Sequence, residues 1–153
     1  MSHVIKTFPR RDVLRAALAA GAALVLPAAP AGACEFFCPT LRITHPWTRA
    51  SAPGATTAVV SMRFDEVTEN DRLIRVETPV AAGAELVAEG ADGPARPVNL
   101  SIAAGQVLNF SETGIHIRLT GLRQPLEIAR SYPLTLTFEK GGVVEADLSV
   151  DYL

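Results

Sequence analysis

Four side chains in this sequence could do chemistry other than packing: Cys34, Cys38, His45 and His116. The two cysteines form a C-x3-C pair in Cys34-Glu35-Phe36-Phe37-Cys38-Pro39. In an exported protein such a pair suits a short-loop disulfide. Two thiolates equally suit a soft ion such as Cu(I). The spacing leaves both open. His116 stands two residues before Arg118 in Gly114-Ile115-His116-Ile117-Arg118-Leu119-Thr120. Strand alternation there sets Ile115, Ile117 and Leu119 on one face and His116, Arg118 and Thr120 on the other. His116 is therefore expected on the polar face, as a surface histidine or as part of an anion-holding pair with Arg118. Glu85 and Glu89 are the candidate carboxylate partners. His45, in Thr44-His45-Pro46-Trp47, is expected at a strand end packed on Trp47, and Met62 falls in an apolar stripe and belongs to the core.

The familiar catalytic signatures are missing. The sequence has no G-x-S-x-G, no glycine-rich phosphate loop and no H-E-x-x-H. A Ser/His/Asp triad is open by residue count alone, with nothing in the spacing to arrange one. A type-one copper set would want a cysteine close to a histidine near the C-terminus, and no cysteine follows residue 38. The expectation is a protein that is not an enzyme.

These residues must be positioned by a chain of 153 residues, 48% hydrophobic and 20% charged, enough for one domain of ordinary size. Lys and Arg number 14 against 16 Asp and Glu, with no basic excess to neutralise phosphates, so nucleic acid is not an expected partner. From Thr40 onward short alternating runs are separated by Gly, Pro, Asn and Asp, and no stretch keeps a helical period. The runs are 41–44, 58–64, 72–77, 85–88, 107–110, 114–122, 134–138 and 143–152. In the second, Val60, Met62 and Phe64 share a face; in the last, Ala146, Leu148, Val150 and Tyr152 form the expected buried set. About eight strands joined by Pro53-Gly54, Asp92-Gly93-Pro94 and Gly141-Gly142 predict a two-layer antiparallel sandwich. Pro94 and Pro97 would blunt an edge.

Residues 1–33 read differently. Arg10-Arg11 with Leu14 and Arg15, the uncharged run Ala16 to Leu26, and Ala31-Gly32-Ala33 follow the order of a secretory signal and resemble a twin-arginine export signal. The apolar run is 11 residues long, whereas a membrane span needs about 20. No membrane span is expected after cleavage. Removal of 1–33, which hold Lys6, Arg10, Arg11, Arg15 and Asp12, leaves 10 basic and 15 acidic residues, a formal charge of −5. Cleavage would leave Cys34 first. A lipid-attachment site usually has Leu where Ala31 stands, so plain cleavage ranks above a lipid anchor at Cys34. The expected organisation is a signal peptide over 1–33, a cysteine-containing segment over 34–40 and a β-sandwich domain over 41–153.

The segments Ile43-Thr44-His45-Pro46-Trp47-Thr48-Arg49-Ala50, Asp71-Arg72-Leu73, Glu85-Leu86, Arg96-Pro97-Val98, Gly114-Ile115-His116, Leu119-Thr120-Gly121-Leu122 and Tyr132-Pro133-Leu134 through Gly142, in this order, resemble the periplasmic copper chaperone PCu(A)C family. The resemblance covers Leu41 to the C-terminus. It implies a cupredoxin-like (Ig-like) β-sandwich that holds one Cu(I) through an H…M…H-x-M set and passes it to a cytochrome oxidase copper-centre subunit or another copper chaperone. Of the four ligand positions this sequence keeps one, His116. The first His falls at Val87, the Met before Arg-Pro-Val at Ala95 and the Met of H-x-M at Arg118. Valine and alanine cannot coordinate, and a guanidinium has no lone pair to offer. Two expectations follow. In one, copper is handled by a degenerate or relocated site using Cys34, Cys38 and His116 or His45; in the other, the domain is a metal-free periplasmic binding module that keeps the fold.

Overall fold

The computed structural model describes residues 34–88 and 93–153. The expected export signal and Glu89 lie outside the described residues. Eleven strands run in chain order: β1 (Glu35–Phe37), β2 (Arg42–Arg49), β3 (Thr57–Asp65), β4 (Asp71–Glu77), β5 (Ala81–Val87), β6 (Ala95–Pro97), β7 (Leu100–Ile102), β8 (Leu108–Asn109), β9 (His116–Leu122), β10 (Ser131–Phe138) and β11 (Gly142–Tyr152). Each of the eight expected runs overlaps a strand. The three unexpected ones, β1, β6 and β7, have three residues each, too few to show alternation.

The sheet order is β6-β5-β9-β3-β2-β11-β10-β4-β7, with β1 added on β2 and β8 on β3. β3 joins the two layers: its first half, Thr57 to Val60, pairs with β9, and its second half pairs with β2 and β8. One pairing is parallel, β11 with β2, against an otherwise antiparallel pattern. β2 runs on through Pro46 because the register shifts between Thr44 and Trp47, and in a bulge a missing backbone donor costs no ladder bond. Pro97 ends the edge strand β6, as expected of a blunted edge.

Between the layers lie the inward residues of both. Val60, Met62 and Phe64 of β3 meet Ile117 and Leu119 of β9 and Leu134, Leu136 and Phe138 of β10 in one cluster. Phe64 is the hub, with ring centroids 5.2 Å from Phe110 and 5.6 Å from Phe138. Ala146, Leu148 and Val150 are buried as the alternation demands, but Tyr152 is 52% exposed. The register of β11 on β2 shifts between Val150 and Tyr152, which turns the tyrosine out of the buried set.

Two carboxylates tie loops to this frame. Asp65 receives Arg42 Nε at 2.7 Å, Arg42 Nη2 at 2.9 Å and Arg63 Nε at 2.9 Å. The hydrogen bond from Arg42 lowers its pKa from the ordinary 3.8 to about 2, against burial and with help from Arg63. Burial pushes the carboxyl of Asp71 up. The Thr40 hydroxyl at 2.7 Å and the amides of Lys140, Arg72 and Gly141 outweigh it and hold Asp71 below the usual carboxylate value. These two networks gave no sequence signal, because their members stand up to 70 residues apart.

Candidate functional site

The β5–β9 ladder brings together the positions at which the resemblance would put copper ligands. Val87 pairs with His116, Leu86 with Ile117 and Glu85 with Arg118, while Val87 also faces Ala95 across the β5–β6 ladder. The four positions thus belong to three adjacent strands in register. Their side chains do not make a four-donor site: Val87 is fully buried, Ala95 is exposed, and Arg118 reaches Glu85 with Nη2 3.3 Å from Oε2. Two hydrocarbon groups and a paired guanidinium do not fit Cu(I).

His116 does fit. It is not on a polar surface as expected, but fully buried. Alternation assigned the face correctly opposite Ile117, but a strand pattern does not say what covers that face. Here the turn Ser111–Gly114, closed by Gly114 N to Ser111 O at 3.3 Å and to Ser111 Oγ at 3.0 Å, brings the Gly114 carbonyl 3.0 Å from His116 Nδ1. A carbonyl only accepts, so Nδ1 carries the hydrogen. In the neutral ring Nε2 then keeps its lone pair, and it has no hydrogen-bond partner among the described residues. A ring nitrogen fixed by a backbone acceptor, with the other nitrogen unpartnered and buried, is the form in which histidine binds metal.

The remaining candidates lie elsewhere. Cys34 and Cys38 are both free thiols and sit at the two ends of β1. Four residues of extended chain separate their Cα atoms by about 13 Å. A disulfide requires about 7 Å or less. Neither the short-loop disulfide nor a two-thiolate clamp is therefore formed while β1 is paired. β1 lies on β2, and β2 and β3 intervene between it and β9. Cys38 Sγ instead sits 3.3 Å from Thr40 Oγ1, over Gly141, where a Cβ would come within 2.7 Å of the sulfur. Among the described residues no three His, Cys, Asp or Glu side chains are grouped to hold a metal ion.

His45 stands inside β2, not at a strand end as expected. It occupies the β2 bulge with φ of 48°, a left-handed conformation uncommon for a residue with a Cβ. That turn sends Nε2 to Asp151 Oδ2 at 2.6 Å, and the backbone amide donates to the Cys34 carbonyl at 2.7 Å. Trp47 packs edge-on against Tyr152 instead, at 5.0 Å between centroids. The Asp151 contact links residues 106 apart, and no local pattern reveals it.

Comparison with known proteins agrees with this geometry. The LpqE-like lipoprotein family matches residues 41–150. No curated protein matches the chain by sequence. Among solved structures, the copper-bound PCuAC domain from PmoF2 superposes with a TM-score of 0.69 at 24% identity, covering 78% of this chain and 98% of that domain. The apo PCuAC domain from PmoF1 gives 0.68 at 24%, covering 78% and 99%. The Cu(I) form of DR1885 from Deinococcus radiodurans gives 0.63 at 22%, covering 74% and 78%. At these identities the likeness is one of fold. The chain belongs to the LpqE-like lipoprotein family and has the fold of PCuAC domains.

Proposed function

We propose that the chain is an exported carrier that handles copper, with Cu(I) as its cargo and His116 as the donor kept from the PCuAC pattern. The observation that carries this reading is the His116 ring, buried, held at Nδ1 by the Gly114 carbonyl and unpartnered at Nε2. Leaving a buried acceptor unsatisfied costs about 1–3 kcal/mol. A soft ion at Nε2 would recover it. Copper-bound relatives in fold support the cargo. Delivery to a cytochrome oxidase copper-centre subunit, or exchange with another copper chaperone, belongs to the same proposal, as does a carrier role without a catalytic step.

The family's lipoprotein description bears on the choice at Cys34. It favours acylation of Cys34 over plain cleavage; export through the signal over 1–33, by the twin-arginine route and into the periplasm, is proposed on the residues of that segment. An acylated sulfur is no longer a thiolate, so this reading leaves Cys34 out of copper binding.

The test is a Cu(I) titration of the reduced, unacylated protein against a competing chelator, beside His116→Ala and Cys34→Ser/Cys38→Ser. One-to-one binding lost in His116→Ala and kept in the cysteine variant supports the reading. Loss only in the cysteine variant moves the cargo to the thiolates. A second reading, a metal-free binding module, is favoured by one contact: the Arg118 guanidinium on Glu85 already puts a cation at the ligand position. Absence of binding in all three proteins would select it.

A further inference from the structure

Cys34 is tied to the body of the domain without a linker. Its carbonyl accepts the amide of His45 at 2.7 Å, and β1 begins at the next residue. Two residues along β2 from His45 stands Trp47, half-buried, with its ring edge-on to Tyr152. Arg49 follows on the same face, its guanidinium 5.5 Å from the centre of the Tyr152 ring. Tyr152 is 52% and Leu153 86% exposed. Beside this patch Arg49 Nε meets Glu112 at 2.9 Å and Arg49 Nη1 donates to the Leu153 carbonyl oxygen at 3.1 Å, while His45 Nε2 lies 2.6 Å from Asp151 Oδ2.

We propose that this face, Trp47, Arg49, Tyr152 and Leu153, is the membrane-contacting surface of the protein and lies at the headgroup level of the bilayer. The proposal rests on the acylation of Cys34 put forward above. Trp47 lies about 7 Å along β2 from the point where Cys34 is fastened. The interfacial layer on each side of the hydrocarbon core is itself about 5–8 Å thick. A lipid on Cys34 with no linker therefore holds this face in that layer. Its composition suits the place: Trp and Tyr present an apolar body and a polar tip, the Arg49 guanidinium lies over the Tyr152 ring, and Leu153 adds an exposed apolar side chain.

Trp47 is the only tryptophan in the chain, so its fluorescence reports on this face alone. The full chain is produced in an export-competent bacterium, extracted from its membranes, weighed by mass spectrometry and reconstituted into phosphatidylcholine vesicles. Plain vesicles are compared with vesicles whose acyl chains are brominated near the headgroup end. The expected result is an acylated Cys34 and Trp47 emission that shifts to shorter wavelength and is quenched by the brominated lipid. In an Arg49→Ser/Tyr152→Ser variant, still anchored, the quenching should weaken. Acylated protein with unquenched Trp47 overturns the face and leaves the anchor standing. Unmodified Cys34 overturns both, and neither outcome touches the copper titration of the unacylated protein.

Discussion

Val87 lies directly across the β5–β9 ladder from His116, and the same residue pairs with Ala95 on β6. The register thus gathers the four positions to which the resemblance assigns copper ligands, and at three of them it places valine, alanine and arginine. His116 remains, buried and fixed by the turn before it. Arg118 has exchanged a donor position for an ion pair with Glu85.

The separation of the cysteines predicts their redox behaviour. Protein made without export, purified in air and alkylated without reductant, should carry two alkyl groups by mass. An intramolecular Cys34–Cys38 disulfide in folded protein would require β1 to leave β2 and would contradict its pairing.

The carboxylates predict an acid limb. Asp65 has a folded-state pKa lowered from 3.8 to about 2, so its contribution to stability is present above the higher value and is lost as the pH falls towards the lower. Asp71, lowered as well, acts with the same sign. Thermal melts should show the midpoint dropping between about pH 4 and pH 2. Asp65→Asn should lower stability at neutral pH and flatten that limb. An unchanged limb in the variant would mean that Asp65 is not what acid titrates.

Packing predicts a contrast between two phenylalanines. Phe64 is fully buried between Phe110 and Phe138, and Phe64→Ala should cost about 3–5 kcal/mol in urea unfolding. Phe37 on β1 is 62% exposed, and Phe37→Ala should stay within about 0.5 kcal/mol. A comparable loss at both would contradict the placement of the core.

Much of the sandwich could be read from alternation, because strands that bury one face must repeat every two residues, as Val60, Met62 and Phe64 do. The N-terminal strand could not, since three residues carry no period and β1 owes its place to β2. The positions that the resemblance assigns to ligands, far apart in the chain, are brought together by the register of β5, β6 and β9. The burial of His116 was not legible, because it depends on a turn folding over the strand. Nor was the turning of His45 to Asp151, which depends on a bulge and a parallel pairing across the whole domain.

The proposed function takes positions 87, 95, 116 and 118 as one copper site that lacks three of its donors. It is tested most directly by putting them back. A Val87→His/Ala95→Met/Arg118→Met variant, with its fold checked by circular dichroism because Val87 is fully buried, is titrated with Cu(I) against a competing chelator beside the unaltered protein. The account predicts one-to-one binding much tighter than that of the unaltered chain, abolished when His116→Ala is added. A folded triple variant that binds no more tightly than the unaltered chain, or one indifferent to His116→Ala, would contradict it.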